Sequence, residues 1–494
     1  MKKLLSLLDE IKYTLFGKKN LLNSYIDHIC FSSYEAKENS AFFCLVGSRT
    51  DGHEHASKAY KNGARIFFCE RILSLPKDSL QILVQDTRLA LAVASAEFFD
   101  HPERKLTIIG VTGTKGKSSV CEMISAILAH AGKPCAALGT LGIKIDGKTE
   151  QTENSTPESY IIYKSLAEIA AKDIKYVALE VSSIALCTSR VHGLHFSAAV
   201  FTNLSRDHIG ENEHPDFSHY KEAKKSLFSF SDKAFINADD AFAAEFAASC
   251  HCPVYTYGTN PHADIRGDNI TFLRKEKTFG TEFFCRSKNE ISRISLPLPG
   301  EFSVLNALAA VSVCLCFGVS LSACVGALAN INIPGRFELV TSSRNDITCI
   351  VDYAHNGASL SAALTALRPY AKGRIICLFG SVGGRTKERR RELGKAAASL
   401  ADLCIVTSDN PDFEPPEEII EEISAHIPAE KCFCIADRKE AVNYALDIAK
   451  RGDIIIFAGK GHENYQLING KKLPFSEREL IKNHIFKKDF IPFP

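Results

Sequence analysis

Short apolar runs alternate along most of the chain with stretches whose apolar positions recur every three or four residues. KLTIIG, KYVALEV, SAAVFTN, ITCIVDYAHN, RIICLFG, DLCIVTSDNP and DIIIFAGKG are apolar nearly throughout, and their polar residues collect behind them. Such runs read as strands buried on both faces, and the helical stretches between them predict an α/β fold of parallel sheets. The pattern separates into three blocks. Residues 1–104 mix the strands SAFFCLVG, ARIFFCE and LQILVQD with short helices and end at the polar break DHPERK. Residues 105–335 open with a strand, a glycine loop and a helix, and close on a helix around Asn306 followed by IPGR. Residues 336–494 repeat a strand–helix alternation, with helices expected from about Ser359, Thr386 and Pro416. A chain of 494 residues exceeds what one core supports, so three domains of ordinary size are expected.

Composition narrows the partners. With 59 basic and 58 acidic residues, the formal charge of +1 gives no electrostatic case for nucleic acid or an anionic membrane. No apolar stretch reaches the roughly 20 residues of a membrane span. The 17 cysteines are scattered through apolar runs, as at Cys314, Cys316 and Cys404. Cys250/Cys252 and Cys432/Cys434 are C-x-C pairs without zinc-type spacing. The N-terminal MKKLLSLLDEIKYTLFGKK interrupts its apolar positions with charge and does not read as a signal peptide. A cytoplasmic monomer with reduced cysteines is expected.

The polar residues behind the strands are the candidate chemistry, because ligands of open parallel sheets sit beyond the carboxyl ends of the strands. GVTGTKGKSSV lies between a strand and a helix. Gly113, Thr114, Lys115 and Gly116 would bring backbone N–H groups to phosphate, Lys117 would reach the outer phosphates, and Ser118 and Ser119 follow on the helix. Val111 stands where a P-loop usually starts with glycine. Glu180 ends the apolar run KYVALE, and Asp207 and His208 follow the next strand; these could complete a Mg²⁺ site with Ser118. In HYKEAKKSLF, Lys224 flanks a helical apolar side of Ala223, Leu227 and Phe228 and by residue type reads as a snorkelling lysine. TSDNPDF presents Asp409, Asn410 and Asp412 from a loop stiffened by Pro415 and Pro416.

In this order, GVTGTKGKSS, EVSS, FTNLSRDH, the Tyr220-to-Phe228 segment, GEFSVLNALAA, PGRFE, VDYAHN, DNP and GKGHENYQ resemble the Mur ligases over nearly the whole length. DNP with GKGHENYQ is similar to the MurE branch, which adds the third residue to UDP-N-acetylmuramoyl-L-Ala-D-Glu. The resemblance implies an N-terminal UDP-binding α/β domain, a central P-loop ATPase domain and a C-terminal Rossmann-like domain. It implies that Lys117 and Ser118 handle ATP phosphates, that Glu180 and His208 bind Mg²⁺, and that Lys224 carries a CO2-derived carbamate facing a second Mg²⁺. Asn306, Arg336, Asp352 and His355 would contact the nucleotide. Ser33, Ser155, Thr156, Ser182 and Arg190 would contact the UDP-muramoyl dipeptide. Asp409, Asn410, Gly459 and Glu463, with Arg389 or Arg390 at the carboxylate, would hold the incoming amino acid. The chain departs from the family at Ser32-Ser33-Tyr34, at Ile184 in place of the usual histidine, and in a GSVGGRTKERR loop one residue short.

Members that add meso-diaminopimelate carry Arg after DNP, where a guanidinium pairs with the distal carboxylate; here the residue is Asp412. The usual lysine-adding loop has Ala there, so Asp412 matches neither template. A carboxylate there repels a carboxylate and attracts an ammonium, so L-lysine or a similar diamino acid is expected, with meso-diaminopimelate the alternative. In the competing reading Asp412 only caps or solvates the loop, and another basic residue reads the distal group. The resemblance implies an acyl phosphate at the D-Glu γ-carboxylate, which the amine of the added residue then attacks. A folylpolyglutamate synthetase is disfavoured by the N-terminal block and GKGHENYQ, and a D-Ala-D-Ala-adding ligase by DNP. A nucleotide-binding regulator without ligase activity is the reading from another class.

Overall fold

The computed structural model describes residues 1–47, 50–210, 213–275, 278–288, 290–340 and 347–489. The chain divides into two compact units, one of Met1–Arg266 with Ser287–Glu290 and Leu305–Cys324, the other of Gly267–Arg286, Ile291–Val304 and Val325–Pro494.

The first unit holds two larger sheets beside a short antiparallel pairing of Lys2–Lys3 with Tyr25–Ile26. One runs Thr14–Gly17, Leu80–Leu83, Ile66–Cys69, Ser40–Phe43, His28–Cys30, parallel except for its first strand. Each expected strand of the first block is present. Phe43 and Phe68 stack with centroids 4.1 Å apart on one face, while Phe42 and Phe67 pack on the other. The parallel core of the second sheet runs Cys135–Gly139, Tyr176–Glu180, Thr107–Thr112, Ala198–Phe201, Ala234–Asn237, Val254–Gly258, with an antiparallel hairpin at the Cys135–Gly139 edge and further strands beyond Val254–Gly258. Its register sets Glu180 beside Val111 and Phe201 beside Thr112, so the polar residues behind three strands emerge at one end of the sheet. Val111 is fully buried in the strand.

The second unit is built on the order Glu338–Leu339, Thr348–Asp352, Ile454–Ala458, Ile375–Phe379, Leu403–Val406, Cys432–Cys434, parallel after its antiparallel first strand. The four long strands are buried along almost their whole length, as their apolar runs require. Helices Gly357–Leu367, Lys387–Leu400 and Pro416–Ser424 begin where the sequence placed them. Asn356 and Thr386 cap the first two with their side chains, and a proline opens the third. The 17 cysteines are all free thiols, most of them buried.

Candidate active site

Strand Thr107–Thr112 delivers the chain into Gly113 and Gly116, whose φ values of 147° and 87° are left-handed. A Cβ on Gly113 would collide with Thr202 Oγ1, and one on Gly116 with Asn306 Oδ1, so both positions exclude larger residues. Gly116 caps helix Lys117–His130 and has no side chain to satisfy the first N–H groups. That end stays receptive to an anion. Asn203 braces the loop: its carbonyl accepts Thr114 N–H at 2.8 Å and its Oδ1 accepts Lys115 N–H at 2.9 Å. Lys117 Nζ donates to the carbonyls of Gly113 and Thr114 at 2.9 and 3.0 Å. Ser118 is buried.

Lys224 corrects the snorkelling expectation. It is 1% exposed, its Nζ donates to Gly113 O at 2.9 Å, and it lies 4.5 Å from the Tyr220 ring centroid. Burial holds its amine well below the ordinary lysine range, and the charge of Lys117 pushes in the same direction. The amine is thereby shifted toward its neutral, nucleophilic form. Lys115 pairs with Asp207 at 3.0 Å. Burial acts to raise the Asp207 carboxyl, but Lys115 and His208 outweigh it and carry the value down to about 2. His208 is exposed, with φ at 55° and its Nδ1 3.1 Å from Glu213 Oε1.

Glu180 is buried at its strand end, where Thr140 N–H donates to Oε1 at 2.8 Å. Thr140 Oγ1 lies 2.8 Å from Ser155 Oγ and 3.2 Å from Glu180 Oε2. Thr156 donates its hydroxyl to Glu180 O at 2.8 Å and accepts Ser182 N–H at 3.0 Å. Arg190 donates to Thr156 O at 3.0 Å and pairs with Glu158, which also pairs with Arg88. Ser155, Thr156, Ser182 and Arg190 thus gather around Glu180. Thr140, Arg88 and Glu158 complete the network and escaped sequence reasoning, because their partners lie far away in the chain. Ser33 is buried, and its carbonyl accepts Asn62 Nδ2 at 2.7 Å.

In the second unit, Asp352 ends its strand and accepts the N–H groups of Phe337 and Ala354 at 2.9 and 2.8 Å. Burial raises its carboxyl, against the charge of Arg336. Arg336 stacks over Tyr353 with Cζ 4.9 Å from the ring centroid. His355 Nδ1 donates to Tyr353 O at 2.8 Å, and Arg389 donates to His355 O at 3.2 Å.

The DNP and GKGHE loops are tied by a residue the sequence did not single out. Lys460 is fully buried and lies 2.7 Å from both Asn410 Oδ1 and Glu463 Oε2, and 3.5 Å from Asp409 Oδ1. Asn410 donates to Glu463 Oε2 at 2.9 Å and accepts Leu467 N–H at 2.9 Å. A side chain at Gly459, φ 107°, would strike Asp409 Oδ2. Asn410 therefore fixes the loop that carries Glu463. Buried Arg438 braces the base of both loops, donating to Ser408 O, Ala458 O and Glu477 Oε1 at 3.0, 2.8 and 2.8 Å.

Two further expectations change. Arg390 is buried and its guanidinium is shared between Glu414 and Glu422 at 2.7 and 2.8 Å, so it joins helices and does not reach for a substrate carboxylate. Asp412, in the left-handed region at φ 54°, accepts Gly470 N–H with Oδ1 at 2.7 Å and caps the turn between strands Tyr465–Ile468 and Lys471–Pro474. Its carboxylate therefore has the capping duty that competes with a role in reading the substrate's charge. Beside it lies a cavity of about 460 Å³, lined by Asp412, Phe413, Glu414, Asp437, Arg438 and Gln466 among others.

The Mur ligase middle-domain model matches residues 111–314, and the Mur ligase glutamate-ligase-domain model matches residues 335–461. The UDP-N-acetylmuramoyl-L-alanyl-D-glutamate–2,6-diaminopimelate ligase of Clostridium botulinum is 36% identical, over 97% of this chain and 98% of its own length. The ligase of the same name from Caldanaerobacter subterraneus subsp. tengcongensis is 38% identical, over 97% and 98%. A solved structure of such a ligase superposes with a TM-score of 0.65 at 28% identity, covering 94% of this chain and 96% of the other. MurF from Acinetobacter baumannii shares the fold, with a TM-score of 0.67 at 21% identity over 93% and 95%. A glycine-bounded loop at an uncapped helix start, a buried lysine hydrogen-bonded to it and interlocked DNP and GKGHE loops stand on a chain matched over 97% of its length, and this protein belongs to the Mur ligase family.

Proposed function

We propose that the chain joins a diamino acid, as the third residue, to UDP-N-acetylmuramoyl-L-Ala-D-Glu with cleavage of ATP to ADP and phosphate. The observation that carries this reading is the buried Lys224 amine on the phosphate-loop carbonyl of Gly113. Residues 1–104 serve as the UDP-sugar domain, 105–335 as the ATP domain and 336–494 as the amino-acid domain. Asn306, Arg336, Asp352 and His355 serve the nucleotide, and Ser33, Ser155, Thr156, Ser182 and Arg190 serve the UDP-muramoyl dipeptide.

The phosphate end of ATP sits at the uncapped helix start behind Gly116, with Lys117 turned from loop carbonyls to phosphate oxygen. The donor set suits Mg²⁺: Ser118, Glu180, His208 and a carbamate on Lys224 are oxygen and imidazole ligands, and the Gly113 loop is already shaped for an anion. When bound, the ion supplies charge neutralisation at the transferring phosphoryl group. Burial favours the neutral Lys224 amine, which can attack CO2: the N–C bond forms, a C=O π pair moves onto oxygen and the nitrogen's proton passes to solvent. The product is an anion, so an uncharged neighbour of Lys117 becomes an attractive one.

The D-Glu γ-carboxylate takes the γ-phosphoryl group, and the neutral amine of the added residue attacks the acyl carbon and expels phosphate. Positioning can contribute roughly 7–11 kcal/mol to such a step. Asp409, Asn410, Gly459 and Glu463 position the amino acid, Asn410 by fixing the Glu463 loop, with Arg389 on the carboxylate side. Asp412 places a carboxylate where diaminopimelate-adding members have Arg, beside a cavity whose Glu414 is already paired with Arg390. This supports L-lysine or ornithine. The names of the relatives favour meso-diaminopimelate as the second reading. Phosphate release with each amino acid separates them: turnover with meso-diaminopimelate and none with lysine or ornithine would overturn the first.

A further inference from the structure

Outside the residues just assigned, one thiol and two imidazoles converge. Cys187 ends helix Ser183–Cys187, His219 lies in the first turn of helix Phe217–Lys225, and His214 sits in the loop before it. One donor atom from each lies within 4.8 Å of the others. His214 is fully buried, while Cys187 and His219 are exposed.

We propose that Cys187, His214 and His219 form a binding site for a zinc-class divalent cation, separate from the Mg²⁺ centre. The ligand chemistry excludes Mg²⁺ as its natural occupant, because Mg²⁺ takes oxygen, whereas thiolate with imidazole selects Zn²⁺ and its neighbours. The central ligand is held as a metal-binding histidine should be. His214 Nε2 is 2.8 Å from Ser183 Oγ, and with Nε2–H donated there, Nδ1 keeps its lone pair for the ion. Its backbone is pinned as well, since His214 N–H donates to His208 O at 3.0 Å and Gly210 N–H to His214 O at 3.1 Å. Nδ1 of His219 is 2.8 Å from Nδ1 of His214. Tetrahedral Zn²⁺ with bonds of about 2.0–2.1 Å to nitrogen needs these atoms roughly 3.3 Å apart. A small rotation of the exposed His219 ring supplies the difference, and the exposed Cys187 thiol swings in to close the third bond. On binding, the thiol proton goes to solvent, His219 keeps its proton on Nε2, and water takes the fourth position. The ion would link the helix that follows Ser182 to the helix that carries Lys224.

The test uses the untagged full chain, freed of metal with a chelator and titrated with Co²⁺ and then Zn²⁺. The expected result is a thiolate-to-cobalt charge-transfer band that saturates at one equivalent, is bleached by Zn²⁺ and is indifferent to excess Mg²⁺. The band should be lost in Cys187→Ser. Affinity should fall about 10–100-fold in Ser183→Ala, which removes only the hydroxyl behind His214. Zn²⁺ should raise the melting temperature of the parent and not of Cys187→Ser. No band in the parent, or a band undiminished in Cys187→Ser and in His219→Ala, overturns the site and leaves a plain histidine–histidine hydrogen bond.

Discussion

Lys117 and Lys224 converge on one acceptor, the carbonyl of Gly113, each with its Nζ at 2.9 Å. Two ammonium groups cannot share a buried carbonyl cheaply, and burial eases the conflict by favouring the neutral form of Lys224. Lys224→Ala should lower ligase turnover at least about a hundredfold, the scale of losing one group aimed at developing charge. Bicarbonate should not restore it, because no amine remains to be carbamoylated. A variant as active as the parent would remove Lys224 from the mechanism.

The same burial carries a stability cost whose sign is fixed. The unfolded chain protonates this lysine below about 10.4, while burial moves its protonation in the folded chain to lower pH. The folded state therefore binds fewer protons, and its stability rises with pH up to that value. In buffer free of metal and CO2, Lys224→Met should melt above the parent at pH 7, with the gap narrowing as the pH approaches 10. A parent more stable than Lys224→Met at pH 7 would contradict the neutral amine.

Lys460 makes its case through KM. Lys460→Met leaves Asn410 and Glu463 without their shared ammonium, so the KM for the amino acid should rise about 10–100-fold while that for ATP holds. Equal changes in both would point to general damage.

Arg438 and Glu477 form a buried ion pair at 2.7 Å. Removing one partner leaves a buried charge, so Arg438→Met should cost about 3–5 kcal/mol in chemical denaturation of its unit. Glu477→Leu added to Arg438→Met should return part of that loss.

Asp412 has two roles that one substitution separates. Asp412→Asn keeps an oxygen for Gly470 N–H and removes the charge. If the charge selects the amino acid, lysine preference should weaken with little loss of stability. Asp412→Arg should move turnover toward meso-diaminopimelate. An unchanged preference in both would leave Asp412 only its place in the turn.

Strand and helix positions were legible because apolar runs and cap residues are local signals; Thr386 and Pro416 mark helix starts on their own. Lys224 misled because amphipathic spacing cannot tell a lysine beside an apolar face from one covered by Tyr220 and a loop carbonyl more than a hundred residues away. Lys460 was invisible for the same reason, since Asn410 lies 50 residues before it. Neither could sequence divide the arginines of GSVGGRTKERR, where Glu414 and Glu422 claim Arg390.

The most direct test is phosphate release by the purified chain given ATP, UDP-N-acetylmuramoyl-L-Ala-D-Glu and each diamino acid, with every substrate omitted in turn. ADP and phosphate should form only when all three are present, with one new amide bond per ATP. ATP hydrolysis indifferent to both the dipeptide and the amino acid would contradict it and leave a nucleotide-binding regulator in its place.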